Sequence, residues 1–201
     1  MSPLPTLTRA LVRVSTPIFL AASLLLGSAP LRAQAAPSAG TVSPVIVTTP
    51  AAAPADVASI DAIITALYDV ISGPVGKARD WNRMRSLFVP GGKLMPTMQR
   101  PGDGIGMRML GVNDYIAVSG PQLERRGFHE REIARRTEQF GHIAHVFSTY
   151  EGRSDSDSTI IRGINSIQLM NDGTRWWVVS IFWEAEGPAN PLPQKYLTNG
   201  E

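Results

Sequence analysis

Apolar residues fall on two different periods along this chain, and the change of period divides it. Between residues 57 and 71, Ile60, Ile63, Ile64, Leu67, Tyr68 and Ile71 recur at three- and four-residue spacing. That spacing puts them on one stripe and predicts an amphipathic helix. Asp56 or Ser59 supplies an N-cap, and Gly73-Pro74 ends the helix. A second, shorter helix is predicted over 80–88, capped by Asp80, with Trp81, Met84, Leu87 and Phe88 as its apolar stripe. Pro90-Gly91-Gly92 stops it. Strands are expected at 93–98 and 105–110, around a turn at Arg100-Pro101-Gly102-Asp103-Gly104. A third helix is predicted over 112–125, with Asn113 as cap and a kink or split at Gly120-Pro121.

Beyond residue 128 the period shortens. Residues 128–140, 143–150, 160–170 and 176–184 read as strands, separated by Gly141, a polar loop at 153–158 and the hairpin signal Asn171-Asp172-Gly173. In the last strand strict alternation places Trp177, Val179, Ile181 and Trp183 on one face. Trp176, Val178, Ser180, Phe182 and Glu184 fall on the other. Both faces are largely apolar, so both should be covered: one by the core, the other by a second subunit or by the tail. Helices first and strands afterwards imply the α+β class. The expected form is a cone-shaped, curved antiparallel sheet wrapped around the N-terminal helices, with a cavity at its mouth. The Pro-rich tail at 187–201 is expected to be loosely held.

The first 35 residues carry Arg9 and Arg13, then the uncharged run from Ile18 to Gly27, then Ala33-Gln34-Ala35. This basic, apolar, small-residue order predicts a secretory signal peptide cleaved after Ala35, and a secreted or periplasmic product. Residues 36–55, rich in Pro, Ala and Thr, predict a disordered linker, and 56–186 the folded domain. Charge looks different once the leader is set aside. The whole chain has 19 basic and 17 acidic residues. Loss of Arg9, Arg13 and Arg32 turns the balance slightly negative, which gives no electrostatic case for nucleic acid or an anionic membrane. No later run is long enough to span a bilayer. The chain has no cysteine, so thiol chemistry, thiolate metal sites and disulfides play no part.

Three stretches carry a resemblance. They are residues 140–151, from Phe140-Gly141-His142 through Ser148-Thr149-Tyr150-Glu151; Arg162-Gly163-Ile164-Asn165-Ser166-Ile167-Gln168-Leu169; and Gly173-Thr174-Arg175-Trp176-Trp177 followed by the apolar run to Trp183. With the element order, they make the chain resemble the nuclear transport factor 2-like superfamily, in its SnoaL-like and ketosteroid-isomerase-like branch. The resemblance implies a conical α+β barrel, a pocket between helices and sheet, and homodimers through the outer sheet face. It does not imply one activity, since members range from isomerases, dehydratases and cyclases to ligand binders.

The candidate pocket lining is Tyr68, Trp81, Tyr115, His145, Phe147 and Trp177, with His145, Tyr68 and Tyr115 as candidate proton-transfer groups. His145 shares strand parity with Ile143 and Phe147. It is either a general base in the pocket or a histidine satisfied by a neighbouring hydroxyl. Glu130 and Glu132 share a face with each other and, by parity, with Arg136, which reads as solvated cross-strand pairing. His129 and Glu130 point to opposite faces, and three scattered histidines make no metal site. Gly102-Asp103-Gly104-Ile105-Gly106 lacks the context and lysine of a phosphate loop, and no cofactor fingerprint is present. No G-x-S-x-G elbow occurs. Three functions stay open: a pocket for a small apolar ligand or a partner; a cofactor-independent isomerase, dehydratase or cyclase; and a dimerisation module.

Overall fold

Ser59 sets where the first long helix begins. Its backbone is extended and its side chain accepts a hydrogen bond from the Ala62 amide, satisfying one of the donors a helix start leaves unpaired. In this computed structural model, which describes residues 49–100, 102 and 104–198, the helix predicted over 57–71 therefore starts at Ile60, as α2 (Ile60–Ile71), and a separate single turn, α1 (Pro54–Val57), precedes it. The signal-peptide segment, its cleavage site and most of the expected linker lie outside the described residues. The linker's last part is not free, because Ala52 packs against the core and Pro54 already opens α1.

Helix α3 (Trp81–Leu87) is capped by Asp80, whose carboxylate accepts from the Arg83 amide at 2.9 Å. Arg83 then grips Asp56 with two parallel bonds of 2.8 and 2.9 Å and also reaches Asp69. One guanidinium thus ties the first three helices together. It holds the Asp56 carboxyl below the usual carboxylate range, chiefly through that bond.

Strand β1 (Phe88–Arg100) begins where the second helix was expected to be followed by a stop. Pro90-Gly91-Gly92 does not terminate structure; it loops out inside the strand, between the Phe88–Val178 and Lys93–Ser180 pairings. Gly91, at φ 83°, makes that excursion. The expected second strand is divided into β2 (Gly104–Met107) and β3 (Leu110–Gly111), which both pair with β1. Helix α4 (Val112–Arg126) runs through Pro121 without a break. Proline costs it one backbone donor, and the carbonyl left over, that of Ala117, lies on the exposed side where water can serve it. Asn113 is not the cap: Asp114 accepts from the Gly111 amide, and Asn113 instead accepts from Arg85.

Four strands follow: β4 (Phe128–Phe140), β5 (Ile143–Ser154), β6 (Ile160–Asn171) and β7 (Trp176–Ala185). The order in the sheet is β2-β1-β7-β6-β5-β4, with β3 beside β1. All pairings are antiparallel except β1 with β7, so the expected antiparallel sheet is mixed. The chain reaches β7 from β1 by way of the whole sheet, which permits that parallel pair.

Against one face of this curved sheet lies α2. Its Ile63, Ile64, Leu67 and Tyr68 share a core with Val146, Tyr150, Ile167, Leu169, Trp176, Val178 and Ile181. Full burial of a side chain such as Ile63 stabilises by about 1.5–3 kcal/mol. Two bulges then overturn strict alternation. In β7 the register shifts between Gln168–Ser180 and Leu169–Val178, so Val179 is the extra residue. Trp176 and Val178 face the core before it, Ile181 and Trp183 after it. The alternation expected across 176–184 is therefore broken at its middle. In β4 the shift falls between Glu132 and Ala134, with Ile133 as the extra residue.

Of the C-terminal segment expected to be loose, the described part is held down, and residues 199–201 lie outside the described residues. The turn Gln194–Tyr196 lies on the outer sheet face, where Tyr196 packs edge-on against Phe147 with ring centroids 5.0 Å apart. Thr149 donates to the Tyr196 carbonyl and Arg136 to that of Lys195.

Candidate functional site

Between α2, α4 and the inner sheet face lies a cavity of about 540 Å³. Its wall is apolar over most of its area: Leu67 and Ile71 from α2, Leu123 from α4, Phe128 from β4, and Ile181 and Trp183 from β7. Into it come a few polar groups, Tyr115, Ser119 and Gln122 from α4, Glu130 from β4, Tyr150 from β5 and Asn165 from β6.

Among the described residues Glu130 is the only ionisable carboxylate in that wall. Its strand parity with Phe128 turns it inward. Ser72, just past the end of α2, accepts from the Glu130 amide at 2.9 Å and donates to the Tyr68 carbonyl at 2.7 Å, which ties that stretch of β4 to α2. Part of the Glu130 surface stays open to the cavity, yet protein surrounds most of the side chain. Burial pushes its carboxyl up to about 7, and a hydrogen bond from Asn165 opposes the rise.

Asn165 serves two groups. Its amide donates to Glu130 Oε1 at 3.4 Å and to the Tyr68 hydroxyl at 3.1 Å. The Tyr68 hydroxyl has Ser148 at 2.7 Å, and Ser148 donates to Glu132. Because Glu132 accepts from Ser148 and Asn165 supplies only protons, Tyr68 donates to Ser148. Glu132 is bound by Arg135, which also pairs with Asp61 on α2 at 2.6 Å. A directed row of hydrogen bonds therefore runs from Asn165, which also holds Glu130, to a charged cluster at the surface.

Tyr150 stands beside this row because of a glycine. It pairs with Gly163 across β5 and β6, and a Cβ at 163 would lie 2.6 Å from the Tyr150 hydroxyl. Burial raises both Tyr115 and Tyr150 above the normal phenol range, and the nearby Glu130 charge adds to the rise in each. Tyr115 meets the Trp183 ring edge-on, with centroids 6.3 Å apart.

The sequence-predicted lining divides between the two sheet faces. Tyr115 lines the cavity. Tyr68 stands behind it, its hydroxyl taken up by Ser148 and Asn165. Trp81 packs on α4 at Gly120, where a Cβ would be 3.1 Å from the indole ring, and does not line the cavity. His145 and Phe147 lie on the opposite face, because Ala144, Val146, Ser148 and Tyr150 claim the inner parity of β5. His145 Nε2 sits 3.0 Å from the Ser166 hydroxyl and its ring lies against Phe147. That is the hydroxyl-satisfied alternative, and it takes His145 out of any chemistry in the cavity. Trp177 also faces outward, covered by the Arg175 guanidinium at 3.6 Å and donating to Asp172 at 2.6 Å.

Glu130, Asn165 and Tyr150 are what sequence reasoning missed. Glu130 and Glu132 do share a face, but Glu130 is half-buried in the cavity wall rather than paired with a charge on the surface. The bulge at Ile133 sends Arg136 outward and brings Arg135 to Glu132 instead. A usable signal was present: Phe128 shares Glu130's parity, and Asn165 shares that of Ile167 and Leu169. Among the described residues no group of three or more His, Asp or Glu side chains is placed to hold a metal ion, and no helix is long and apolar enough to cross a membrane.

Helices seated on one face of a curved, mostly antiparallel sheet, with a part-polar cavity between them, define an α+β protein of the nuclear transport factor 2-like, cystatin-like fold. The solved structures it is similar to include the Kfla4162 protein of Kribbella flavida, with a TM-score of 0.51 at 11% identity, covering 65% of this chain and 90% of that one. A cystatin-like protein of unknown function from Nostoc punctiforme gives 0.48 at 14% identity, covering 67% and 92%. An NTF2-like protein of unknown function from Methylobacillus flagellatus gives 0.43 at 15%, covering 64% and 95%. At such identities the likeness concerns the fold alone. No protein-family model and no curated protein matches the sequence.

Proposed function

We propose that this domain binds a small, largely apolar molecule in the cavity between α2, α4 and the sheet, and that Glu130 addresses the ligand's polar group. The observation that carries this reading is the placement of one carboxylate, held by Asn165, in a wall otherwise dominated by Leu, Ile, Phe and Trp. Such pockets take shape from apolar residues and orientation from a few polar ones. A volume of about 540 Å³ lies in the range of small-molecule sites. The reading is tested by native mass spectrometry of the purified protein and by thermal shift with a panel of apolar compounds. Binding should be saturable and should be lost on narrowing the cavity with Ser119→Phe. Binding that survives this change in a folded variant would remove the cavity from the account.

One observation favours a second reading. A carboxyl pushed up to about 7 beside two tyrosine hydroxyls is poised to give or take a proton near neutral pH. This is the proton-transfer isomerase or dehydratase alternative, with Glu130 in the place expected for His145. Exchange of solvent deuterium into a bound ligand, abolished by Glu130→Gln, would support it. Ligand bound without exchange would leave the domain a binder. A homodimer through the outer sheet face, and export of the chain, are parts of the same proposal. Sedimentation and N-terminal sequencing of the protein from its native host test them.

A further inference from the structure

Glu130 makes no ion pair among the described residues, whereas the charges around it are spoken for. From α2, Asp69 pairs with Arg83; on β4 itself, His129 lies against Asp155, Arg131 pairs with Glu151, and Glu132 with Arg135. Tyr68 from α2, Tyr115 from α4, Tyr150 from β5 and Asn165 from β6 are the other groups on its sides, and none is a cation. Among the described residues the cavity wall itself contains no Lys, Arg or His. An anion entering would meet a carboxylate and no cationic side chain in the wall, since Arg79, at one end of the cavity, is turned to backbone carbonyls. A neutral ligand would leave the carboxylate, once ionised, without a counter-charge in a cavity lined mostly by apolar side chains.

We infer that the cavity is built for an organic ammonium ion: an amine with an apolar body, its cationic nitrogen on Glu130 and its carbon frame among Leu67, Leu123, Phe128 and Ile181. Aromatic side chains reinforce this. Tyr115, Tyr150 and Trp183 share the wall with Glu130, and ring faces of Trp and Tyr attract cations, most strongly where water is excluded. An ammonium also supplies the donors that a carboxylate accepting one bond from Asn165 still has room for. Burial penalises the carboxylate until a cation arrives, so binding of an amine should draw a proton off Glu130 at mildly acidic pH.

This inference rests on the cavity being a ligand site, and the experiment separates the two. Isothermal titration of the full chain uses three compounds of one shape and different charge: adamantanamine, adamantanol and adamantane carboxylate. At pH 8 the amine should bind at least about tenfold more tightly than the alcohol, and the carboxylate least. The amine's advantage should shrink at pH 5, where Glu130 holds its proton. In Glu130→Gln the alcohol should still bind and the amine should lose its advantage, which reports a folded cavity without its charge. Equal or tighter binding of the alcohol at pH 8, or an advantage that survives Glu130→Gln, overturns the ammonium assignment and leaves the pocket standing. If none of the three binds, the pocket reading falls and takes this one with it.

Discussion

Tyr150 and Gly163 occupy opposed positions on β5 and β6, and the glycine is what lets the tyrosine lie flat over its neighbour strand. A Cβ at residue 163 would meet the Tyr150 hydroxyl at 2.6 Å and the Glu184 carbonyl oxygen at 2.3 Å. The first contact could be relieved by moving a side chain; the second is backbone. Gly163→Ala should therefore destabilise by about 1–3 kcal/mol, as overpacking does. Adding Tyr150→Ala should not restore the loss, because the carbonyl remains. Urea unfolding of the single and double variants checks both statements.

Glu130 makes stability depend on pH in a defined direction. Its ordinary value is 4.5, and burial raises it to about 7 in the folded protein. Below 4.5 both states hold the proton. Between the two values the folded state holds a proton that the unfolded state has lost, so stability falls as pH rises toward 7. Glu130→Gln removes that fall. The variant should melt close to the parent at pH 4.5 and above it at pH 8, by on the order of 1–2 kcal/mol after allowing for the open side of the carboxyl. Asn165→Ala should act oppositely on the same group. It deletes the bond that lowers the carboxyl, so the midpoint should move up, with a loss of about 1–3 kcal/mol from the Tyr68 network. Carbon-13 titration of the Glu130 carboxyl reads the midpoint directly.

Arg79 clasps one end of the cavity. Its guanidinium donates to the carbonyls of Ile71 at 3.0 Å, Gly73 at 2.6 Å and Leu123 at 3.1 Å, and also to that of Lys77. These join the end of α2 and the last turns of α4, and Gly73 is bridged to Phe128 at the start of β4. A lysine has the charge but not the fork. Arg79→Lys should cost about 2–4 kcal/mol and open residues 72–79 to limited proteolysis before global unfolding.

His145→Ala should leave ligand binding in the cavity unchanged, because the histidine contacts Ser166 and Phe147 on the other side of the sheet. The expected stability cost is about 1 kcal/mol or less for one partly exposed hydrogen bond. A variant that stays folded yet loses cavity binding would show that the two faces are coupled.

The period of apolar residues determined a good deal by itself. Asp80 announced the start of α3, Ser59 was one of the two caps open for α2, and the stripe through Ile63, Leu67 and Tyr68 announced a face to be buried. Four long strands and the Asn171-Asp172-Gly173 turn were equally legible, because local backbone chemistry fixes caps and turns. Which face of each strand turned inward was not. In β4 and β7 it changes at the bulges at Ile133 and Val179, where a one-residue shift exchanges the two faces, and in β5 only packing against α2 chose between two apolar parities. A bulge is set by the partner strand, so it leaves no clear trace in the strand that carries it. The same holds for the site: Glu130, Asn165 and Tyr150 lie on three strands, and only the assembled sheet brings them to one cavity, while it carries His145 to the other side.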